Sequence, residues 1–333
     1  MSIYNKILGC LLGGAVGDAM GTPTETRSTS QIIEKYGGLV KDFIAPPDDV
    51  FARGFAAGSV SDDFSLAYCT VRAILDNKGV INDEVAKNAL LGWSKTKYYA
   101  LAGPTTVAVV DKMLGKDVMN FKPFLTYDTS KGSDGGAMKI APIALFSKGN
   151  VDKAIEDAIT ICLPTHFNNS ALAGACAIAA ATAEALNDNA TVDSMVEAGL
   201  KGAMIGNDYA VSRGKELANP SIYKRIVLAV EIAKKCNGDM GKAMQELADV
   251  IGSGLPAAEA VPCAFGLLVA ANGDAQKAII AGVNIGSDTD TVATMVGAMS
   301  GAYCSYYDAD KLAIIDSVNG YDLRALAKEV ESV

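Results

Sequence analysis

Most apolar residues of this chain fall at helical spacing, in runs that end at Gly, Asn or a short polar turn. Residues 7–17 follow Lys6 and have the apolar look of a signal peptide, but Asp18 interrupts them and they read as a core helix. Gly9, Gly13, Gly17 and Gly21 recur every four residues, so one side of that helix has no side chains and another helix can approach closely. Further helices are predicted over 30–37, from Ser61 to near Gly79, over 83–95 behind the cap Asn82, and over 105–114 with a stop at Gly115. Others cover 137–146, 151–162, 170–186, 192 to about 204, and 223–235. Residues 39–44 read as extended, residues 48–60 as a surface loop able to act as a lid, and the polar stretch 207–221 as an insertion.

Lys148-Gly-Asn, Asn237-Gly-Asp and Asn272-Gly-Asp each look like a helix stop followed by a new start. Their unequal spacing argues for helical hairpins and against a solenoid, and no Pro/Gly/Ser-rich linker separates two cores. The expected fold is therefore all-α, a single compact multi-helix domain over residues 1–333.

Half of the residues are hydrophobic, enough for a substantial core, and no stretch resembles a membrane span of about 20 apolar residues. A net charge of −9 with no block of Lys or Arg argues against a nucleic-acid partner. Seven cysteines scattered singly suggest buried thiols in a reducing cytoplasm. The single histidine, His166, nearly excludes His/Cys zinc chemistry and is the only one a Ser-His-Asp triad could use.

Two acidic helix starts carry the candidate chemistry. Gly286-Ser-Asp-Thr-Asp-Thr291 precedes an apolar helix, and on a continuous helix Asp288 and Asp290 would point about 200° apart. They can share a target only if the helix begins irregularly there; the plain alternative is an ordinary N-cap with a spare acid. Ser61-Asp62-Asp63 repeats the design about 225 residues earlier. Together they offer six hard oxygen ligands, which suit Mg²⁺, Mn²⁺ or Ca²⁺, and their carboxylates would repel one another without cations between them. Thr129-Ser-Lys-Gly-Ser-Asp-Gly-Gly136 is a turn whose backbone N–H groups can approach an anion, or a plain turn.

Those acids, with Gly17-Asp-Ala-Met-Gly-Thr-Pro-Thr-Glu25, Gly103-Pro-Thr-Thr106, Gly135-Gly-Ala-Met-Lys-Ile-Ala-Pro142 and Thr165-His166, give a chain that resembles the ADP-ribosylglycohydrolase family from Gly9 to about Tyr303. The resemblance implies the family's orthogonal helical fold and hydrolysis at C1″ of the terminal ribose of ADP-ribosyl groups on proteins or small conjugates. It implies two Mg²⁺ ions, with Mn²⁺ as the alternative, on Ser61, Asp62, Asp63, Asp288, Asp290 and Thr291. Glu25 becomes the general acid or base, Asp18 a structural cap, and Lys131, Gly132, Ser133, Asp134 and His166 the substrate-binding residues. For His166 a buried capping role is the alternative. Two positions depart from the family. Phe64 stands where Thr is usual and is expected to narrow the cleft, and Asp134 stands where Asn is common and adds a negative charge near a diphosphate. They keep open a glycohydrolase acting on a related ribosyl or nucleoside substrate, beside a non-catalytic, crystallin-like binding protein.

Overall fold

The computed structural model describes residues 2–116 and 128–333. These residues form sixteen α-helices, no strand and two isolated β-bridges, so the fold is all-α as expected. The first five helices are α1 (Ile3–Gly21), α2 (Thr29–Tyr36), α3 (Asp62–Asp76), α4 (Asp83–Trp93) and α5 (Pro104–Met113). Next come α6 (Ala141–Ala144), α7 (Val151–Cys162), α8 (Asn169–Ala185), α9 (Val192–Val211) and α10 (Ile222–Lys235). The last six are α11 (Met240–Val250), α12 (Ala257–Ala270), α13 (Ala275–Asn284), α14 (Thr289–Cys304), α15 (Ala309–Asn319) and α16 (Leu323–Ser332).

The three stop-start motifs share one geometry. Lys148, Asn237 and Asn272 each adopt φ 50° before a glycine of positive φ, and Asn150, Asp239 and Asp274 then cap α7, α11 and α13. Helices α1, α8, α12 and α14 are buried on nearly every side, and amphipathic helices such as α7, α11 and α16 surround them.

The partner of the α1 glycine stripe is α14. A Cβ on Gly9, Gly13 or Gly17 would stand 2.2, 2.1 or 2.2 Å from the carbonyl oxygen of Gly301, Gly297 or Ala293, and one on Gly21 would stand 2.4 Å from Asp290 Cα. The partner numbers fall as the glycine numbers rise, so the helices run antiparallel. The C-terminal end of α1 therefore lies against the N-terminal end of α14. Each added Cβ would meet backbone, which cannot rotate away, so alanine there costs about 1–3 kcal/mol or more.

Four local expectations change. The helix predicted over 137–146 shrinks to α6 and a following 3₁₀ turn, because Pro142 has no N–H to donate and sits where it is tolerated, in the first turn. Helix α9 runs on to Val211, taking up part of the supposed insertion: Gly206 and Ala210 form its buried face, while Asn207 and Asp208 are more exposed. Residues 39–44 join no sheet, since the Val40 N–H and C=O pair with the Asn284 side chain. Loop 48–60 is less superficial than expected, with Val50, Ala52 and Val60 buried and Asn319 holding Gly58 O and the Val60 N–H. All seven cysteines are free, and among the described residues no helix is long and apolar enough to cross a membrane.

Candidate functional site

At the start of α3, Ser61 caps the helix by accepting from the Asp63 N–H at 3.1 Å. Asp18, fully buried near the end of α1, accepts from the Ser61 and Phe64 N–H groups at 2.8 and 2.9 Å, so it is the structural cap the sequence suggested. With those donors satisfied, the carboxyls of Asp62 and Asp63 are left over.

Helix α14 starts differently. Asp288 occupies the cap position with non-helical angles, φ −92° and ψ 68°, yet its side chain makes no capping bond. The chain before it is pinned by main-chain bonds: Ser287 N–H to Arg27 O, Thr26 N–H to Ser287 O, and Asp288 N–H to Ser253 O. Ser287 and Gly286 both have positive φ, and a Cβ on Gly286 would stand 2.8 Å from Arg27 O. The Thr289 hydroxyl donates to Gly21 O and lies 2.9 Å from the Thr24 hydroxyl, whose single hydrogen has Val283 O within 2.6 Å. This is the irregular start that two acids separated by one residue require.

The two helix starts converge. Glu25, Asp288 and Asp290 each place a carboxylate oxygen within 4.8 Å of the others. Asp63 stands with them, and the Thr291 side chain is directed at it. Asp134 arrives from the glycine turn, buried, with its carboxyl within hydrogen-bonding reach of Asp288. Asp63 Oδ2, Asp134 Oδ2, Asp288 Oδ2 and Asp290 Oδ1 are buried without a hydrogen-bond partner, an arrangement native proteins rarely leave uncompensated.

Electrostatics tells the same story. Burial first, then the charges of Asp288, Asp62 and Asp18, push Glu25 up to about 8, with Arg27 opposing. Burial and then Asp18 push Asp62 to about 8, while burial and neighbouring carboxylates raise Asp63, Asp134 and Asp290 well above the usual range. Among the described residues, no Lys or Arg forms an ion pair with these carboxyls; the crowded oxygen donors fit hard divalent cations.

The turn over 129–136 is knitted to the loop before α12. Gly132 O accepts from the Ala257 N–H, Asp134 N–H donates to Leu255 O, and Ser133 bridges Pro256. Among the described residues, the N–H groups of Ser133, Gly135 and Gly136 have no backbone acceptor. Lys131 is exposed, and its carbonyl accepts from Asn168. His166 is 3% exposed with Nδ1 2.8 Å from Thr165 Oγ1; it is not the cap of α8, a place taken by Asn168. The Phe64 ring does not narrow the cleft. It is fully buried in the core, beside Gly14 and with its centroid 6.2 Å from that of Tyr321, because position 64 faces inward on α3.

Two residues escaped the sequence reading. Arg27 donates to Pro23 O and Glu25 O and pairs with Asp49 at 2.5 Å, fixing the turn that presents Glu25; its mixed polar surroundings gave no signal. Lys139 is 1% exposed, and its signal was legible as a lone charge within an otherwise apolar run.

A sequence profile described as ADP-ribosylglycohydrolase matches residues 1–332. The chain is 29% identical over 332 residues to the uncharacterized protein YegU of Escherichia coli (strain K12), covering 97% of this chain and 95% of that one. It is 26% identical over 327 residues to the ADP-ribosylhydrolase ARH3 of Gallus gallus and 25% over 321 residues to that of Homo sapiens, covering 90% of this chain and 85% of theirs in both cases.

Proposed function

Because the chain belongs to the ADP-ribosylglycohydrolase family and is a glycohydrolase, we propose that it hydrolyses the C1″ bond of ADP-ribosyl groups on a protein or small conjugate. We assign two divalent cations, Mg²⁺ with Mn²⁺ as the alternative, to Ser61, Asp62, Asp63, Asp288, Asp290 and Thr291. The observation that carries this reading is the set of buried, unpartnered carboxylate oxygens at the two converging helix starts. Bound there, such ions would orient a diol and stabilise developing negative charge.

Glu25 is the general acid or base in this reading. Burial, which persists when cations are bound, raises its carboxyl and favours the protonated acid, which would deliver its proton to the leaving atom and then accept one from water. The N–H groups of Ser133, Gly135 and Gly136, without a backbone acceptor among the described residues, suit ribose or phosphate oxygens, with Gly132 packed against Asn219, Lys131 at the rim and His166 beneath. Asp134 places a carboxyl one residue from those donors; ionised beside bound cations, it would oppose a diphosphate, which favours a second reading, a ribosyl substrate without a diphosphate. The same proposal takes residues 1–333 as one domain acting in the cytoplasm, where seven free thiols stay reduced, with neither nucleic acid nor membrane as partner.

The test is hydrolysis of arginine-linked, serine-linked and ester-linked ADP-ribose beside the matching ribosyl conjugates, with Mg²⁺ and with EDTA. Release of ADP-ribose that EDTA abolishes is expected. Equal rates with EDTA would remove the cations, and release of ribose alone would replace the substrate.

A further inference from the structure

Lys139 lies behind the glycine turn with its amine sealed from solvent. Among the described residues it forms no ion pair, and its hydrogen bond runs to Thr165 Oγ1 at 3.5 Å. Thr165 Oγ1 is in turn 2.8 Å from His166 Nδ1. Burial lowers the Lys139 amine from its ordinary range; as an ammonium it has no lone pair and can only donate, so Thr165 accepts from it and keeps its own hydrogen to give away. The acceptor within its reach is Nδ1. If Nδ1 carried the proton instead, a buried hydroxyl hydrogen would be left unpaired, which native interiors avoid. The fully paired arrangement therefore leaves Nδ1 bare and places the imidazole proton on Nε2.

Nε2 lies directly under the turn: a Cβ on Gly135 would stand 2.6 Å from it. Gly135 follows Asp134 and has one of the free N–H groups described above. Burial first, and then the Lys139 charge, hold His166 far below its ordinary range, at about 3, so the ring stays neutral and its tautomer decides what it offers.

We propose that Lys139 is a positioning residue: through Thr165 it fixes His166 as the Nε2–H tautomer, so that the ring presents a donor to an oxygen-rich ligand held at the glycine turn. The ligand half rests on the proposed function, whereas the tautomer half stands on the buried geometry alone. A donor suits a phosphate or hydroxyl oxygen, and the opposite tautomer would turn a lone pair toward the same oxygen and repel it.

The chain has one histidine, so ¹⁵N NMR of the labelled protein gives a single pair of imidazole signals that need no assignment. The wild type should show a bare Nδ1 and a protonated Nε2. Lys139→Met should shift the proton wholly or partly to Nδ1 and weaken ADP-ribose binding about tenfold, roughly one lost hydrogen bond, with Mg²⁺ binding unchanged. Lys139→Arg should restore both properties. If Lys139→Met fails to fold, the isosteric Thr165→Val breaks the same relay and should give the same loss of a fixed tautomer. A protonated Nδ1 in the wild type, or tautomer and affinity unchanged in Lys139→Met and Thr165→Val, would overturn the proposal. A tautomer that switches in a protein that binds no ADP-ribose would uphold the relay and remove the ligand half.

Discussion

The two acid-bearing helix starts reach one cleft by opposite routes. At α3 the first N–H groups are satisfied by Ser61 and by Asp18 from another helix, which leaves Asp62 and Asp63 with no capping duty. At α14 no side chain caps the helix; main-chain bonds from Thr26, Arg27 and Ser253 hold the preceding turn in a left-handed shape, and Asp288 is excused from capping by geometry. An acid at a helix start is ordinarily explained by the cap it makes. Here that explanation fails twice, at the same place in space, and it fails for buried oxygens that have no other partner.

Glu25 belongs to the α14 side of this comparison and carries the largest expected effect. Glu25→Gln should slow turnover by roughly 10²–10⁴-fold while ADP-ribose binding stays near wild type. Equal losses of binding and rate would make it a ligand-holding residue, in keeping with its place beside Asp288 and Asp290.

If both starts hold the cations jointly, Asp62→Asn and Asp290→Asn should each blunt the stabilisation by Mg²⁺, about 2.7 kcal/mol at 100 times the dissociation constant. Unchanged Mg²⁺ binding by calorimetry in both would separate the two starts and end the shared site.

A change of pH should act on both starts at once. Glu25 and Asp62 at about 8, Asp18 at about 6, and the raised Asp63, Asp134 and Asp290 all hold protons in the folded state that the unfolded chain has lost. Where the folded state binds more protons, stability falls as pH rises. The EDTA-treated protein should therefore lose melting temperature from about pH 4 to about pH 8, and Mg²⁺ should flatten that slope. A flat profile without metal would mean that the acids are not crowded in solution.

Without metal, Ser61→Ala should cost α3 about 0.5–2 kcal/mol as a lost cap. Asp288→Asn should cost α14 nothing and raise the melting temperature by relieving repulsion. Equal destabilisation in urea titrations would erase the distinction between the starts. The smallest effect is reserved for Asp134→Asn, which at equal Mg²⁺ should bind ADP-ribose a few-fold more tightly, because it removes a carboxyl that ionises when cations are bound beside it. Tighter binding by the wild type would show Asp134 serving the ligand.

Much of this protein is local and was therefore readable from its residues. Periodicity and caps are written within a few positions, so Asn82, the three stop-start motifs and the span of α7 could be found without a partner in view. The four-residue glycine stripe announced a close helix contact, and the D-T-D spacing announced an irregular helix start. Neither could say what lay opposite. Only the packed structure brought α14 antiparallel onto the stripe, so that Gly21 meets Asp290, turned Phe64 into the core, and drew Asp134 to Asp288. It also joined Lys139 to His166 through Thr165. A hydrogen bond from a cap to its own helix depends on neighbouring residues, whereas the meeting of residues 25, 63, 134 and 290 depends on how whole helices exclude one another's volume, which no short stretch of sequence contains.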